Sequence, residues 1–374
     1  MKLSRDELFL KKCLSLAENG LGLVSPNPMV GAVIVKGSHI VGQGWHKAYG
    51  LPHAEVEALK MAGAKAKDAI LYVNLEPCCH YGKTPPCTDA IIKAGIKKVV
   101  FCTLDPNPRV NGKTVVILKN HGIEVRYGLL ENHAMELNES YFTYMKQKRP
   151  FITLKWAMSI DGKIADASGN SKWITSEDAR KFNRNLRFQY DAIMVGAGTV
   201  IKDDPELDYS VPGGVRKSLL KNKRYTKIII DGDLKCPPDT KMFLNNQGNV
   251  VVFTGKDTKP AWVKYPENVE FIEIDRTPAG FLDIRQVIKF LYDKGIGRLF
   301  VEGGTNTLTS FYDCGVFDKI YVFVGGKIIG GDAVYPPFKG GITPPIIDSN
   351  FRLGEIIRFS NDVLIVFKNV LRNN

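Results

Sequence analysis

His53, Glu55, Cys78 and Cys87 are the residues whose types and spacing can do chemistry. They stand in the strings His53-Ala54-Glu55, Pro77-Cys78-Cys79-His80 and Pro85-Pro86-Cys87. One imidazole and two thiolates give Zn2+ three protein ligands, and the fourth tetrahedral position is left for water, as in a catalytic site. Zinc lowers the pKa of such a water to about 7, so a nucleophile is available at neutral pH. A closed structural site with Cys79 or His80 as fourth ligand, or simple buried cysteines, is the competing reading. Glu55 favours the catalytic one. Removing an amine by water requires a group that carries protons between the water, a ring nitrogen and the departing amine, and a carboxylate beside the metal serves this purpose. Residues two apart on a helix do not share a face. His53 and Glu55 can therefore converge only if the site lies over a helix's first turn. Cys87 precedes another helical pattern, where the positive dipole end favours a thiolate. The expected metal content is one zinc per chain.

These residues need a scaffold, and the hydrophobic periodicity supplies one. Asp6 to Ala17 place Phe9, Cys13, Leu16 and Ala17 on one helical face, ended by Gly20 and Gly22. The runs MVGAVIVK and HIVGQGWH read as a hairpin turned at Gly37-Ser38. HAEVEALKMAG, AILYVNLEP, PPCTDAIIKAG and KKVVFCTL then alternate helix and strand, the mark of an α/β domain with a mostly parallel sheet. ENHAMELNESYFTYM reads as one long helix before a boundary near Lys146 to Pro150. A second α/β pattern follows, with strands FITLKWAMS, DAIMVGAG, TKIIIDGD, NVVVFTG, VEFIEID, RLFVEGG and KIYVFVGG and helices SEDARKFNRNLRFQY and DIRQVIKFLYDKG. The polar, basic stretch Ser210 to Thr226 reads as a flexible surface loop. The expected domains are 1–147 and 151–374.

Composition bounds the rest. The chain has 374 residues, 44% of them hydrophobic and 24% charged, enough for two cores. Its net charge of +12 suits a phosphorylated substrate or cofactor, and a solvated lysine-rich surface explains it equally well. No basic stripe interleaved with aromatics marks a nucleic-acid binder. The start MKLSRDELFL lacks a signal peptide's apolar stretch, and no apolar run approaches the ~18 residues of a membrane span. A cytoplasmic protein is expected, with its 7 cysteines reduced. Cys13, Cys102, Cys236 and Cys314 read as core or incidental.

Between Cys78 and Cys87 stand the residues CHYGKTPP, a longer spacing than the C-x-x-C of nucleic-acid deaminases. SPNPMVGAVIV, GWHKAYGLPHAE, EPCCHYGKTPPC and DPNPRVNGK resemble the deaminase half of the bifunctional deaminase/reductase family of riboflavin biosynthesis. The resemblance implies a cytidine-deaminase-like N-terminal domain in which His53, Cys78 and Cys87 hold zinc and Glu55 shuttles protons. It also implies that Asn27, His46, Lys83, Asp105 and Asn107 bind a diaminopyrimidine ribosyl phosphate. Lys83 is a suitable phosphate cation, whereas Asp105 and Asn107 also fit ordinary turn chemistry.

No Gly-x-Gly-x-x-Gly fingerprint opens a βα turn in the second half. Gly196-Ala197-Gly198-Thr199 and Gly303-Gly304 follow apolar strands, where backbone amides can cradle phosphate. TLKWAMSIDGKIA, SKWITSEDAR, RFQYDAIMVGAGTVIKDDPEL and FVEGGTNTL are similar to the reductase half of the same family, whose fold resembles dihydrofolate reductase. That similarity implies NADPH contacts from Ala157, Trp173, Thr199, Asp203, Gly303 and Gly304. It implies substrate contacts from Ser171, Arg187, Leu207 and Glu302, with Lys155 near both ligands. Homo-oligomerisation is a further implication. One departure stands out: where the family commonly has an arginine after D-D-P, this chain has Leu207-Asp208-Tyr209-Ser210. Arg216 and Lys217 are the nearest substitutes, and solvated loop charges are the alternative reading.

Overall fold

A computed structural model describes residues 3–245, 247–258, 265–331, 336–339 and 351–370. Met1 and Asn374, the outer ends of the two expected domains, lie outside the described residues. The chain divides into two compact units, Met1–Arg149 with Val215–Lys223, and Pro150–Gly214 with Arg224–Asn374.

In the first unit α1 (Arg5–Ala17) is followed by β1 (Gly31–Lys36), β2 (His39–Trp45), α2 (Ala54–Ala62), β3 (Ile70–Val73), α3 (Cys87–Lys93) and β4 (Lys98–Phe101). Then come α4 (Lys113–Asn120), β5 (Glu124–Tyr127), α5 (Glu131–Leu137) and α6 (Glu139–Gln147). Ser4 and Glu7 close a capping box at the start of α1, which satisfies backbone donors that the first turn leaves free. The strands lie in the order β2-β1-β3-β4-β5. This sheet is mixed, not mostly parallel: β1 is antiparallel to β2 and to β3, while β3, β4 and β5 run parallel. The reason is the hairpin. The crossover through α2 steps over β1, so β3 runs with β2 and against the strand between them.

Alternation on the strands sorts two cores. Ala32 and Ile34 face Ala54, Ala58 and Ile91, whereas Val33 and Val35 face Leu10, Cys13 and Leu16 of α1. α2 lies so close to β2 that a Cβ on Gly44 would come within 2.6 Å of the Glu57 Cβ. This close seating fixes the N-terminus of α2, where His53 stands. The helix expected over ENHAMELNESYFTYM is broken at Asn138 (φ −104°, ψ 23°). Its buried side chain accepts from Met29 N at 2.7 Å and donates to Met29 O at 2.9 Å, so a tertiary tie overrides the helical periodicity.

Within the stretch Ser210 to Thr226, Lys217–Asn222 form a 3-10 helix, and Asn222 Nδ2 donates to Tyr49 O at 3.1 Å. Tertiary contact has turned part of an expected loop into an ordered turn of the first unit.

The second unit contains β6 (Phe151–Met158), α7 (Glu177–Arg187), β7 (Ala192–Gly196), α8 (Ala197–Asp203), β8 (Thr226–Ile230), α9 (Lys241–Leu244), β9 (Asn249–Gly255) and β10 (Val269–Ile274). α10 (Ile284–Asp293), β11 (Arg298–Val301), α11 (Thr305–Asp313), β12 (Lys319–Gly325), β13 (Phe351–Arg358) and β14 (Asp362–Asn369) complete it. The 9-stranded sheet has the order β10-β9-β8-β7-β11-β6-β12-β14-β13. Its strands are parallel from β10 to β12, and β14 and β13 add an antiparallel edge. Successive residues again face opposite cores, Met194 with Leu299 and Val301 on one side and Ile193 and Val195 with Phe300 on the other. At the carboxyl ends of β7 and β11, Gly196 and Gly303 pack against one side chain of α11. A Cβ on Gly196 would sit 2.5 Å from Thr307 Oγ1, and one on Gly303 would sit 2.7 Å from Thr307 Cβ. Sheets of this kind bind ligands beyond the carboxyl ends of their strands.

Two candidate active sites

His53 is the N-cap of α2 and Cys87 the first residue of α3, while Cys78 lies in the loop that follows β3. The fold brings their ligand atoms within 4.8 Å of one another. His53 Nδ1 is 3.4 Å from Cys78 Sγ and 3.3 Å from Cys87 Sγ. Thr84 Oγ1, at 3.4 Å from Nε2, holds the other side of the imidazole. Cys87 N donates to Cys78 Sγ at 3.4 Å, the helix-terminus contact that favours a thiolate. The thiols share a proton: the hydrogen bond from Cys87 lowers the Cys78 pKa, and its counterpart raises that of Cys87. Burial alone would lower the His53 pKa, but the Cys78 hydrogen bond and the Glu55 charge leave it raised. Cys79 donates to Arg109 O at 3.6 Å, and neither it nor His80 joins the three-ligand cluster.

Glu55 is in the first turn of α2 with a relative exposure of 3%. Burial pushes its carboxyl pKa up, and Oε2 has no hydrogen-bond partner among the described residues. An unpartnered acid oxygen beside one nitrogen and two sulfur donors is what a metal and its water would satisfy. The donor set therefore fits zinc.

The other expected residues of this unit surround the cluster unevenly. The His46 ring is 5.2 Å from that of His53; its Nδ1 is 3.2 Å from Pro52 O and its Nε2 is 3.2 Å from Asn27 Nδ2. The carbonyl makes Nδ1 the protonated nitrogen, so Nε2 accepts from Asn27. Burial, helped by the neighbouring His53, drops the His46 pKa to about 4. Lys83 Nζ lies 4.2 Å above the Tyr49 ring. Asp105 Oδ1 accepts from Asn107 N and from Tyr141 OH, both at 2.8 Å, and Asn107 Oδ1 accepts from Arg109 N. Both side chains thus make turn contacts as well, and burial lifts Asp105 to about 6.

Glu76 escaped the sequence reading. It is almost fully buried and accepts from the backbone of Asp105, Gly112 and Thr114 at 3.1, 2.9 and 3.2 Å. Its position directly before Pro77-Cys78 was the only available signal.

The second unit has a cleft of about 960 Å3 at the carboxyl ends of its parallel strands. Lys155 and Ala157 of β6, Ser171 and Trp173 of the following loop, and Arg187 of α7 line it. Thr199 and Asp203 of α8, Leu207, and the turn Glu302-Gly303-Gly304 after β11 complete the expected set. Arg216 and Lys217 do not line it; both lie in the Val215–Lys223 segment grouped with the first unit. Glu302 is the hub. It accepts from Arg187 Nε at 2.8 Å, Arg187 Nη2 at 3.1 Å and Asn183 Nδ2 at 3.0 Å, with Lys155 Nζ at 3.5 Å. Burial would raise its pKa, but the Arg187 and Lys155 charges hold it at about 2. For Lys155, burial outweighs the attraction of Glu302 and the pKa is lowered.

Ser171 Oγ donates to Asp203 at 3.4 Å, and Trp173, 58% exposed, carries the Arg180 guanidinium 4.2 Å above its ring. Lys227, fully buried on β8, pairs with Asp208 Oδ1 at 2.6 Å, and Asn245 Nδ2 donates to Asp208 Oδ2 at 2.7 Å. This network was also missed, because a lysine in TKIII reads as facing solvent. The cleft fits a dinucleotide: Gly304 caps α11 without a side-chain bond, Gly198 has open space where a Cβ would point, and buried Asn183 Oδ1 has no partner among the described residues.

Comparison with known proteins finds two family models. The model of the cytidine and deoxycytidylate deaminase zinc-binding region matches residues 3–103, and that of the RibD C-terminal domain matches residues 150–365. A three-donor metal centre with a buried carboxylate in one unit and a dinucleotide-sized cleft in the other define the class, a bifunctional zinc-dependent deaminase and NADPH-dependent reductase. The chain belongs to the family of the riboflavin biosynthesis protein RibD. It is 47% identical over 325 residues to RibD of Aquifex aeolicus, covering 87% of this chain and 88% of that one. It is 38% identical over 373 residues to RibD of Escherichia coli, covering 96% and 98%. The solved structure of Acinetobacter baumannii RibD, form 1, matches with a TM-score of 0.86 at 34% identity over 97% of this chain and 98% of that one. That of the Thermotoga maritima diaminohydroxyphosphoribosylaminopyrimidine deaminase/5-amino-6-(5-phosphoribosylamino)uracil reductase matches with a TM-score of 0.81 at 37% identity and the same coverage. The chain performs a deamination and a reduction of riboflavin biosynthesis. Among the described residues no helix is long and apolar enough to cross a membrane.

Proposed function

We propose that the first unit deaminates 2,5-diamino-6-ribosylamino-4(3H)-pyrimidinone 5′-phosphate, and that the second reduces the ribosyl group of the product to ribityl. The observation that carries this reading is the cluster of His53 Nδ1, Cys78 Sγ and Cys87 Sγ within 4.8 Å, with the unpartnered Glu55 Oε2 nearby. These three side chains would hold zinc, which supplies an acidified water when bound. Glu55 is placed to carry one proton from the attacking water to the ring nitrogen and a second from the resulting hydroxyl to the departing amine, so that water and the aminopyrimidine become the oxo product and ammonia. Asn27 and His46, with its fixed tautomer, offer the pyrimidine edge a directional hydrogen-bonding wall, and Lys83 offers a cation to the phosphate.

In the cleft, NADPH supplies a hydride when bound. Gly303-Gly304, Thr199, Asp203, Ala157 and Trp173 would orient it, while Ser171, Arg187, Leu207 and Glu302 would contact the substrate's ribosyl part and Lys155 would stand near both ligands. Positioning is the protein's main contribution there. Hydride delivery to C1′ would open the ribosyl ring, with the ring C–O bond breaking and a proton completing the new hydroxyl. The partner in this reading is a small phosphorylated pyrimidine in the cytoplasm, with neither nucleic acid nor membrane involved.

The test is to assay ammonia release and NADPH oxidation together on the diaminopyrimidine phosphate, with zinc measured per chain. Both activities and one zinc are expected, and zinc chelation should stop ammonia release while sparing NADPH oxidation on the deaminated compound. Release of ammonia from a zinc-free chain would defeat the reading.

A further inference from the structure

We propose that Arg184 is the residue that receives the substrate's phosphate in the reductase cleft. This deepens the reading above and rests on its placement of the substrate's ribosyl part along Arg187, Leu207 and Glu302. Helix α7 presents Arg180, Asn183, Arg184 and Arg187 to the cleft, the i, i+3, i+4, i+7 positions of one face. Two of its three arginines are committed. Arg180 Nη1 donates to Thr175 O at 2.5 Å and its guanidinium covers Trp173. Arg187 gives Nε and Nη2 to Glu302 and Nη1 to Asp208 O. Arg184 is exposed, and its guanidinium has no partner among the described residues.

The segment beside it supplies no cation of its own. Ser210 N donates to Arg184 O at 3.0 Å, so the segment Leu207-Asp208-Tyr209-Ser210 runs directly beside this turn of α7. That segment contains no basic residue, and its one acid, Asp208, is tied to Lys227. Glu302 cancels one of the two charges of Lys155 and Arg187, so this cluster is left with a net charge of one. A phosphate monoester carries about −1.5 to −2 at neutral pH, more than this cluster balances, so an uncommitted guanidinium beside it adds to binding. A guanidinium meets the phosphate oxygens with two parallel hydrogen bonds, which an ammonium cannot do.

The experiment uses the full chain with zinc and NADPH and compares the deaminated ribosylaminopyrimidine phosphate with the same compound lacking phosphate. Arg184→Ala should raise KM for the phosphorylated compound by roughly 10- to 100-fold, the usual loss of a charge-assisted contact, with kcat little changed. The dephosphorylated compound should be reduced equally well by both proteins, and Arg184→Lys should restore part of the loss. Inorganic phosphate should compete with substrate in the wild type and less in Arg184→Ala. An equal KM rise on both compounds, or none on either, overturns the proposal while leaving the reductase reading intact. Wild-type protein that oxidises NADPH with neither compound overturns the reading and the proposal together.

Discussion

Arg187 grips Glu302 at two points, Nε to Oε1 at 2.8 Å and Nη2 to Oε2 at 3.1 Å, and both side chains are largely buried. A buried carboxylate held in this way stabilises the fold only while ionised. Its pKa is 4.5 when unperturbed and about 2 in the fold, so its contribution is complete above pH ~4.5 and is lost as pH falls towards ~2. Glu302→Gln leaves the Arg187 charge uncompensated. It should destabilise the second unit by about 3 kcal/mol or more at pH 7. Thermal melts of both proteins across that range should show the difference shrinking as the solution is acidified; a constant difference would contradict the assignment.

Glu55→Gln separates proton transfer from metal binding. The variant should keep one zinc per chain and lose deamination by at least the ~100-fold typical of a removed general acid/base. Reduction of the deaminated substrate should persist. Loss of zinc would make Glu55 a ligand.

Glu76→Gln should disturb the Asp105–Thr114 loop, which the proposed function places at the substrate, and spare the metal. Glu76 accepts three backbone N–H groups from Asp105 to Thr114, and an amide can turn only one oxygen towards them. Hydrogen bonds to a charged group are worth about 1.5–3 kcal/mol, so a KM rise of roughly 10-fold or more for deamination is expected. Zinc content, measured by metal analysis, should be unchanged; its loss would show that Glu76 supports the Cys78 loop instead.

Lys227→Met removes the buried cation that holds Asp208. Severing such a pair costs about 3–5 kcal/mol, and the lower end applies because Asp208 retains some solvent contact. Reduction should weaken with it, since Arg187 also anchors on Asp208 O. Lys227→Met with Asp208→Asn should recover stability, as measured by chemical denaturation.

The parts of the molecule legible from sequence are those where local pattern and tertiary structure agree. The capped helix from Arg5, the hairpin at Gly37-Ser38 and the apolar strands of both sheets follow from period and turn chemistry alone. The close approach of His53, Cys78 and Cys87 was suggested by their residue types, because few other arrangements use these donors together. Tertiary ties stayed hidden. Asn138 ends a helix through Met29, 109 positions away, and no local rule reveals this. The strands β13 and β14 went unread, the first because its exposed edge position gives it no buried alternation. The Glu76 and Lys227 networks were invisible for a related reason: a charged residue in an otherwise ordinary string gives no sign of being buried.

Thr307 links two glycines that are far apart in the chain, and this restricts the order in which the sequence can drift. Position 196 is barred to any side chain by a hydroxyl, so exchanging Thr307 for alanine first would open it to alanine. Position 303 is barred by the β-carbon itself, which every residue except glycine carries. A descendant lineage could therefore reach a side chain at 196 in two ordered steps, whereas 303 should stay glycine for as long as 307 carries a side chain and the backbone keeps its path.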